Sequence, residues 1–379
     1  MTIRLGIPKE LSEGESRVAL VPDVVGRLVK MGYEVCIERG AGEASFFPNE
    51  SYEKAGAKLQ SREQILQNSQ VILKVAPPLE EEIKQIPNGA ILISFLYPYR
   101  FPDRVRELQN KKITSFAMEL IPRVTRAQSM DALSSQATVN GYKAVLIAAD
   151  RCSRFFPMLT TAAGTIRPAK VLVLGAGVAG LQAIATSRRL GAVVEAYDIR
   201  KSSREQIESL GAKFVQSTVD GEGQGGYARE LSAEEKKKDQ ETLDKHIASA
   251  DVVISTAHVP GRPAPILISE EVVGRMKPGS VIVDLSAESG GNCVLTKLGT
   301  EVVKNGVRIV GPANLSSSLP FHASEMYAKN MFNFLTLLTQ EGKTLSPNLE
   351  DEIIIGSLLS YQGEIKHAPT KALLEEKRS

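Results

Sequence analysis

The chain has 379 residues, too many for one compact core, so two domains are expected. Its apolar fraction of 42%, charged fraction of 24% and net charge of +2 are ordinary for a globular protein and leave no electrostatic footprint for nucleic acid. No run of roughly 18 apolar residues marks a membrane helix, and Cys36, Cys152 and Cys293 are spaced too widely for a disulfide framework or a CxxC metal site.

The N-terminus enters a strand at once, Ile3–Ile7, without the apolar core of a signal peptide, so a reducing cytoplasm is the expected setting. Val24, Val25, Leu28 and Val29 then recur at helical spacing before a second strand, Tyr33–Ile37. Val71–Val75, Ile91–Phe95 and Ile113–Met118 are further strands of this first α/β unit, which has no glycine-rich phosphate loop. A helical stretch near Gln136–Ala149 opens a second unit. Its strands are Lys170–Leu174, Val193–Ala196, Lys213–Val215, Val252–Thr256, Ser280–Leu285 and Val307–Val310. His322–Leu338 is again helical, with Met326, Met331, Phe332 and Leu335 apolar. Such alternation specifies parallel-sheet α/β architecture. The expectation is two Rossmann-like domains separated by a cleft, with residues 136–321 inserted into a discontinuous domain of 1–135 and 322–379.

One stretch breaks the pattern. Ser217–Gln240 contains Gly221, Gly223, Gly225 and Gly226, then the run Glu234-Glu235-Lys236-Lys237-Lys238. It holds too little apolar surface to offset its ordering entropy and reads as a surface loop. Tyr227 is the aromatic exception, suited to closing over a ligand.

The chemistry concentrates at Gly175-Ala176-Gly177-Val178-Ala179-Gly180, directly after the apolar strand and at the start of helix Ala179–Leu190. Gly175 permits a tight turn, Gly177 lets the backbone approach a pyrophosphate, and Gly180 allows close packing of helix on strand. The helix offers its N-terminal amides and positive dipole end to phosphate. Asp198, in Asp198-Ile199-Arg200, ends the next strand, where a carboxylate accepts hydrogen bonds from ribose hydroxyls and repels a 2′-phosphate, so NAD(H) is the expected cofactor. Arg200 and Lys201 are phosphate-pairing types and keep NADP open on composition alone. Thr256-Ala257 and Asp284-Leu285-Ser286 end two later strands and should face the cofactor, although Ser255 and Thr256 also suit simple strand-end capping.

Arg123-Val124-Thr125-Arg126-Ala127-Gln128-Ser129-Met130-Asp131, with Ser134, makes an RxxxxQxxD run; on residue types alone it reads as a polar helix start capped by Asp131. Together with the glycine loop and Gly225-Gly226-Tyr227-Ala228, this run resembles the NAD(H)-binding subunits of the proton-translocating NAD(P) transhydrogenase family, from Pro8-Lys9-Glu10 to beyond Met326–Asn330. The resemblance implies that Arg123, Gln128, Asp131 and Ser134 hold the nicotinamide and its ribose, and that Tyr227 closes over the site. It implies direct hydride transfer between NADH here and NADP+ on a partner domain, which demands orientation and close approach, without an acid or base. It also implies a homodimer docked on membrane-embedded subunits that carry the NADP(H) domain, with this chain peripheral at the membrane and not inserted in it.

The same pattern resembles alanine dehydrogenase at Pro8-Lys9-Glu10 and Arg17-Val18-Ala19-Leu20. Arg17 and Lys74 match that family's substrate-binding cations and suit a carboxylate. Oxidative deamination needs proton transfers, yet the stretch that carries the dehydrogenase histidine reads Phe95-Leu96-Tyr97-Pro98-Tyr99 here, and the catalytic aspartate position is Glu288. Of the four histidines, only His258 is expected near the cofactor face. An NAD-binding scaffold without turnover is a third reading.

Overall fold

The computed structural model describes residues 2–217, 232–258, 262–340, 344–345 and 347–376. The chain forms two compact units, Met1–Gln136 with Ser317–Ser379, and Ala137–Ser316. The chain leaves the first unit inside helix Ala132–Arg151 and returns just before helix Pro320–Leu338, which Pro320 starts.

The first unit is built on an eight-stranded sheet. Its order is Glu364–Ile365, Leu358–Tyr361, Thr114–Ala117, Ile91–Ser94, Val71–Leu73, Arg4–Ile7, Glu34–Glu38 and Lys58–Gln60. The last six of these strands run parallel. Side chains alternate across the sheet. Leu5, Val71, Leu73, Ile93 and Phe116 therefore meet helices Pro22–Lys30 and Pro320–Leu338 on one face. Ile72, Leu92 and Ala117 meet Leu66, Ile83, Val105, Leu108 and Leu374 on the other. Burial of both faces explains why these strands are continuously apolar.

The second unit has seven strands, ordered Lys213–Gln216, Val193–Asp198, Lys170–Leu174, Val252–Ser255, Val281–Asp284, Val307–Gly311 and Thr300–Lys304. All are parallel except the edge strand Thr300–Lys304. Strand order reverses between Lys170–Leu174 and Val252–Ser255, and this switch point is where open α/β sheets bind ligands. Helices Ala132–Arg151 and Val178–Arg189 cover one face through Ala144, Val145, Ala148, Ala183 and Ile184. Helix Ala233–Ser249 covers the other through Leu243 and Ile247. A Cβ on Gly141 would overlap the Ala179 carbonyl oxygen, so only glycine lets the first two helices pack this closely.

Several expectations need correction. Residues 233–240 are the start of helix Ala233–Ser249, not loop: Ser232 and Glu235 form a reciprocal capping box, and the charged run consists of helix-favouring Glu and Lys. Ser217–Gln240 therefore ends as a candidate loop by Ser232, and residues 218–231, including Tyr227, lie outside the described residues. Strands Lys58–Gln60, Thr300–Lys304, Leu358–Tyr361 and Glu364–Ile365 and the hairpin Leu159–Thr161/Gly164–Ile166 are additions to the expected set, being short and, except for Leu358–Tyr361, at least partly exposed. The apolar run Ile353–Leu359 is divided between helix Glu352–Ser357 and a strand, a split that periodicity over so short a run does not reveal.

Candidate functional site

The candidate site of the second unit occupies the carboxyl ends of three adjacent strands. Strand Lys170–Leu174 ends at Gly175, whose φ of +91° favours glycine. A Cβ there would sit 2.7 Å from Thr256 Oγ1, and one on Gly180 would overlap the Gly175 carbonyl oxygen. Packing within the protein thus explains two of the three motif glycines. Gly177 differs: nothing lies within 4 Å of where its Cβ would be, and both it and Val178 are exposed. As N-cap of helix Val178–Arg189, Gly177 has no side chain with which to bond the first-turn amides. A bare loop facing an uncapped, positively polarised helix end fits a pyrophosphate.

Asp198, at the end of the neighbouring strand, is 5% exposed and already engaged. Its Oδ2 accepts from the Ala176 N–H (2.7 Å) and from Arg200 Nη2 (2.7 Å); its Oδ1 accepts from the Arg200 N–H and Nε, each 2.9 Å. The carboxylate therefore braces the glycine loop and holds the guanidinium that would otherwise offer a charge to a 2′-phosphate. Ile199 between them packs against the apolar cluster of Tyr197, Val215 and Leu243.

On the opposite side, Thr256 Oγ1 donates to the Leu174 (3.1 Å) and Gly175 (3.0 Å) carbonyls, so its hydroxyl serves the loop's own backbone. Ala257 follows it. Leu285 is half-buried against the apolar cluster of Val281, Val283 and Leu315. His258 is exposed, with Nδ1 3.3 Å from Ser289 Oγ, and desolvation holds its pKa below the ordinary value against the opposing effect of Glu288. Glu288 itself accepts from the Asn314 N–H at 3.0 Å.

The remaining predicted residues belong to the first unit. Arg123 and Gln128 are exposed, Gln128 in a short 3-10 turn, Thr125–Met130. Asp131 accepts from the Ser134 N–H (2.9 Å) and Ser134 Oγ (2.6 Å), which is the capping arrangement that residue types alone suggest. Arg126 makes a bidentate pair with Asp351 at 2.7 and 2.9 Å, tying the segment to the C-terminal residues. Arg17, 7% exposed, is bonded to Glu15 and Gln136 (Nη1 to Oε1, 2.8 Å). Lys74, 1% exposed, lies 2.9 Å from Glu10 and 3.1 Å from Glu82. Burial alone would lower the Lys74 pKa, but these carboxylates raise it and keep the ammonium charged.

Two carboxylates hold arrangements that residue type does not announce: Glu119, which is half-buried, and Asp284, expected at the cofactor face but engaged by the protein's own donors. Glu119 accepts from the Leu96 and Tyr97 N–H groups, and Tyr97 adopts a φ of +44°. Desolvation pushes its carboxyl up to about 7, against the lowering effect of those amides. Asp284, wholly buried, gathers five donors: Ser255 Oγ, Thr296 Oγ1, and the N–H groups of Ser286, Asn292 and Cys293. The Gly290-Gly291 pair after it is a usable signal, because Gly291 has a φ of +85° and lets that loop fold back onto Asp284. No cluster suited to a metal and no helix long and apolar enough to cross a membrane occurs among the described residues.

Comparison with known proteins gives the family and supports the fold. Residues 6–140 match the model of the family described as alanine dehydrogenase/PNT, N-terminal domain, and 144–368 match its C-terminal domain. The chain is 47% identical over 378 residues to an NAD(P) transhydrogenase subunit alpha chain of Rhodospirillum rubrum, covering 96% of this chain and 98% of that one. It superposes on the crystal structure of transhydrogenase from Sinorhizobium meliloti with a TM-score of 0.87 at 44% identity, covering 96% and 99% of the two chains. Alanine dehydrogenase of Bacillus subtilis is more distant, at 29% identity over 83% of this chain and 80% of its own length.

Proposed function

The chain belongs to the alanine dehydrogenase/PNT family as a homologue of transhydrogenase alpha subunits, and we propose that it binds NAD(H) and exchanges hydride with NADP(H) held by a partner protein. The observation that carries this reading over deamination is the state of the two substrate-type cations. Lys74 is neutralised by Glu10 and Glu82, and Arg17 by Glu15, so both already serve carboxylates of the protein. The absence of histidine from Phe95–Tyr99 points the same way.

On this reading the uncapped amides of Val178–Gly180 receive the pyrophosphate and Asp198 meets the adenosine ribose. Arg123, Gln128, Asp131 and Ser134 fix the carboxamide and ribose of the nicotinamide, and Tyr227 closes over them. The dinucleotide supplies the hydride; these side chains supply orientation, bringing the reacting carbons to roughly 3–3.5 Å. NADP(H) belongs to the partner, a membrane-embedded assembly, so this chain works at the cytoplasmic membrane surface without crossing it. A homodimer is part of the proposal. The two-stranded hairpin Leu159–Thr161/Gly164–Ile166 carries exposed Ile166 and follows exposed Phe155 and Met158 in the chain, and an isolated exposed hairpin gains from a partner surface.

The test is an exchange assay. The isolated chain should bind NADH and show no turnover with alanine, pyruvate or ammonia. Adding an NADP(H)-binding transhydrogenase domain and an oxidised NAD analogue should produce hydride exchange. Rapid pyruvate-dependent NADH oxidation by the chain alone would refute the proposal, and sedimentation as a monomer would remove the dimer from it.

A further inference from the structure

Ala257 lies at the switch point, on the far side of Gly175 from Asp198. The sheet order places strand Val193–Asp198 on one side of Lys170–Leu174 and Val252–Ser255 on the other. A dinucleotide with its pyrophosphate over Gly175–Gly180 and its adenosine ribose at Asp198 therefore extends its other half toward Thr256-Ala257. The Ala257 peptide groups are both held by one residue. Asn292 Oδ1 accepts from the Ala257 N–H (3.2 Å), and Asn292 Nδ2 donates to the Ala257 carbonyl (2.8 Å) and to the Pro265 carbonyl (2.8 Å). Ser286 Oγ adds a second donor to the Ala257 carbonyl at 2.8 Å.

Asn292 is wholly buried and is itself anchored, its backbone N–H donating to Asp284 Oδ2 at 2.7 Å. Its side-chain amide thus pairs with the backbone amide as a neighbouring strand would, at a point where Val252–Ser255 has already ended. Without it, the Ala257 N–H would lose its acceptor and the carbonyl would keep Ser286 Oγ, so the half-buried peptide would be held from one side only, and Thr256, which closes the Gly175 turn, would lose its neighbour's support.

We propose that Asn292 is a positioning residue for the nicotinamide half of the cofactor, acting through the Ala257 backbone. The inference rests on the dinucleotide reading above and assigns a role within it. Nothing in the residue type announces it, because the contact spans 35 positions of sequence.

The experiment compares NADH with ADP, which retains the adenosine diphosphate half alone, on the full chain carrying Asn292→Ala or Ser286→Ala. Binding is titrated below the melting transition of each variant. Asn292→Ala should weaken NADH about tenfold while ADP affinity changes less than about twofold; Ser286→Ala, removing one donor of the same clamp, should shift the ratio in the same direction by less. Equal losses for NADH and ADP would overturn the proposal in favour of a purely structural role, as would unchanged affinity for both. If Asn292→Ala does not fold, the NADH-to-ADP ratio of Ser286→Ala decides. Failure of the unaltered chain to bind NADH would instead overturn the dinucleotide reading, an outcome visible before any variant is made.

Discussion

The Asp198 carboxylate bonds the Ala176 N–H at 2.7 Å, tying the acid at the end of one strand to the glycine loop at the end of its neighbour. The same carboxylate chelates Arg200. Asp198→Asn keeps an acceptor for Ala176 but releases the guanidinium from its charge partner. NADH affinity should fall about tenfold and NADPH affinity should rise, narrowing the preference between them. Parallel fluorescence titrations measure both; an unchanged preference would mean that Asp198 does not read the ribose.

Gly177 and Gly180 should respond differently to alanine. A methyl group at Gly177 meets open space, so Gly177→Ala should fold with stability within about 0.5 kcal/mol of the unaltered chain yet lose NADH affinity. Gly180→Ala drives the methyl into the Gly175 carbonyl and should cost on the order of 1–3 kcal/mol of stability as well. Thermal melting and NADH titration separate the two. Full NADH affinity in Gly177→Ala would argue against a ligand at that loop.

Gln128 offers a test of orientation against affinity. Gln128→Asn shortens an exposed amide by one methylene. Misplacement of the ring should slow hydride exchange by up to about 100-fold while NADH affinity changes little. Stopped-flow exchange rates beside equilibrium titrations provide the check, and equal losses would reduce Gln128 to a binding contact.

Glu119 predicts a pH dependence of stability. A glutamate ordinarily titrates near 4.5, whereas burial raises Glu119 to about 7. Between those values the folded chain retains a proton that the unfolded chain has lost. Its contribution to stability is therefore present below pH 4.5 and is lost as pH rises to 7, by roughly 3 kcal/mol. Glu119→Gln mimics the protonated form, with Oε1 still available to the Leu96 and Tyr97 amides. It should match the unaltered chain near pH 5 and exceed it at pH 8 in urea unfolding. A constant difference at both pH values would show that Glu119 titrates normally.

Lys74→Met should be severe. It leaves Glu10 and Glu82 buried without their shared cation, a change worth about 3–5 kcal/mol. Denaturant unfolding measures the loss. A variant of unchanged stability would mean that the ammonium is not committed to these carboxylates and is open to a substrate.

What is legible in the sequence is what local chemistry dictates. Continuous apolar strands such as Val171–Leu174 announce a parallel sheet because both faces must be buried, and Gly175–Gly180 announces its loop because a turn, a bare approach and a close packing each demand glycine. Family membership follows from the same motifs. Length and alternation alone also suggest a chain in two parts. Other features depend on signals that composition does not carry or on contacts that the fold selects. Helix 233–249 is obscured because a run of Glu and Lys has the same composition in a solvated helix as in a loop, and the capping box of Ser232 and Glu235 is the local signal that tells them apart. Arg17 and Lys74 read as carboxylate-binding cations in the sequence, and the tertiary structure adds that carboxylates of the protein itself, Glu15 and the pair Glu10 and Glu82, lie against them. Asp198 can be named as an acid at the right place, but its hold on Ala176 appears only once two strand ends lie side by side. Asn292 stays invisible for the same physical reason: a polar side chain acquires its meaning from the partner that burial forces upon it, and that partner, Ala257, is chosen by the fold.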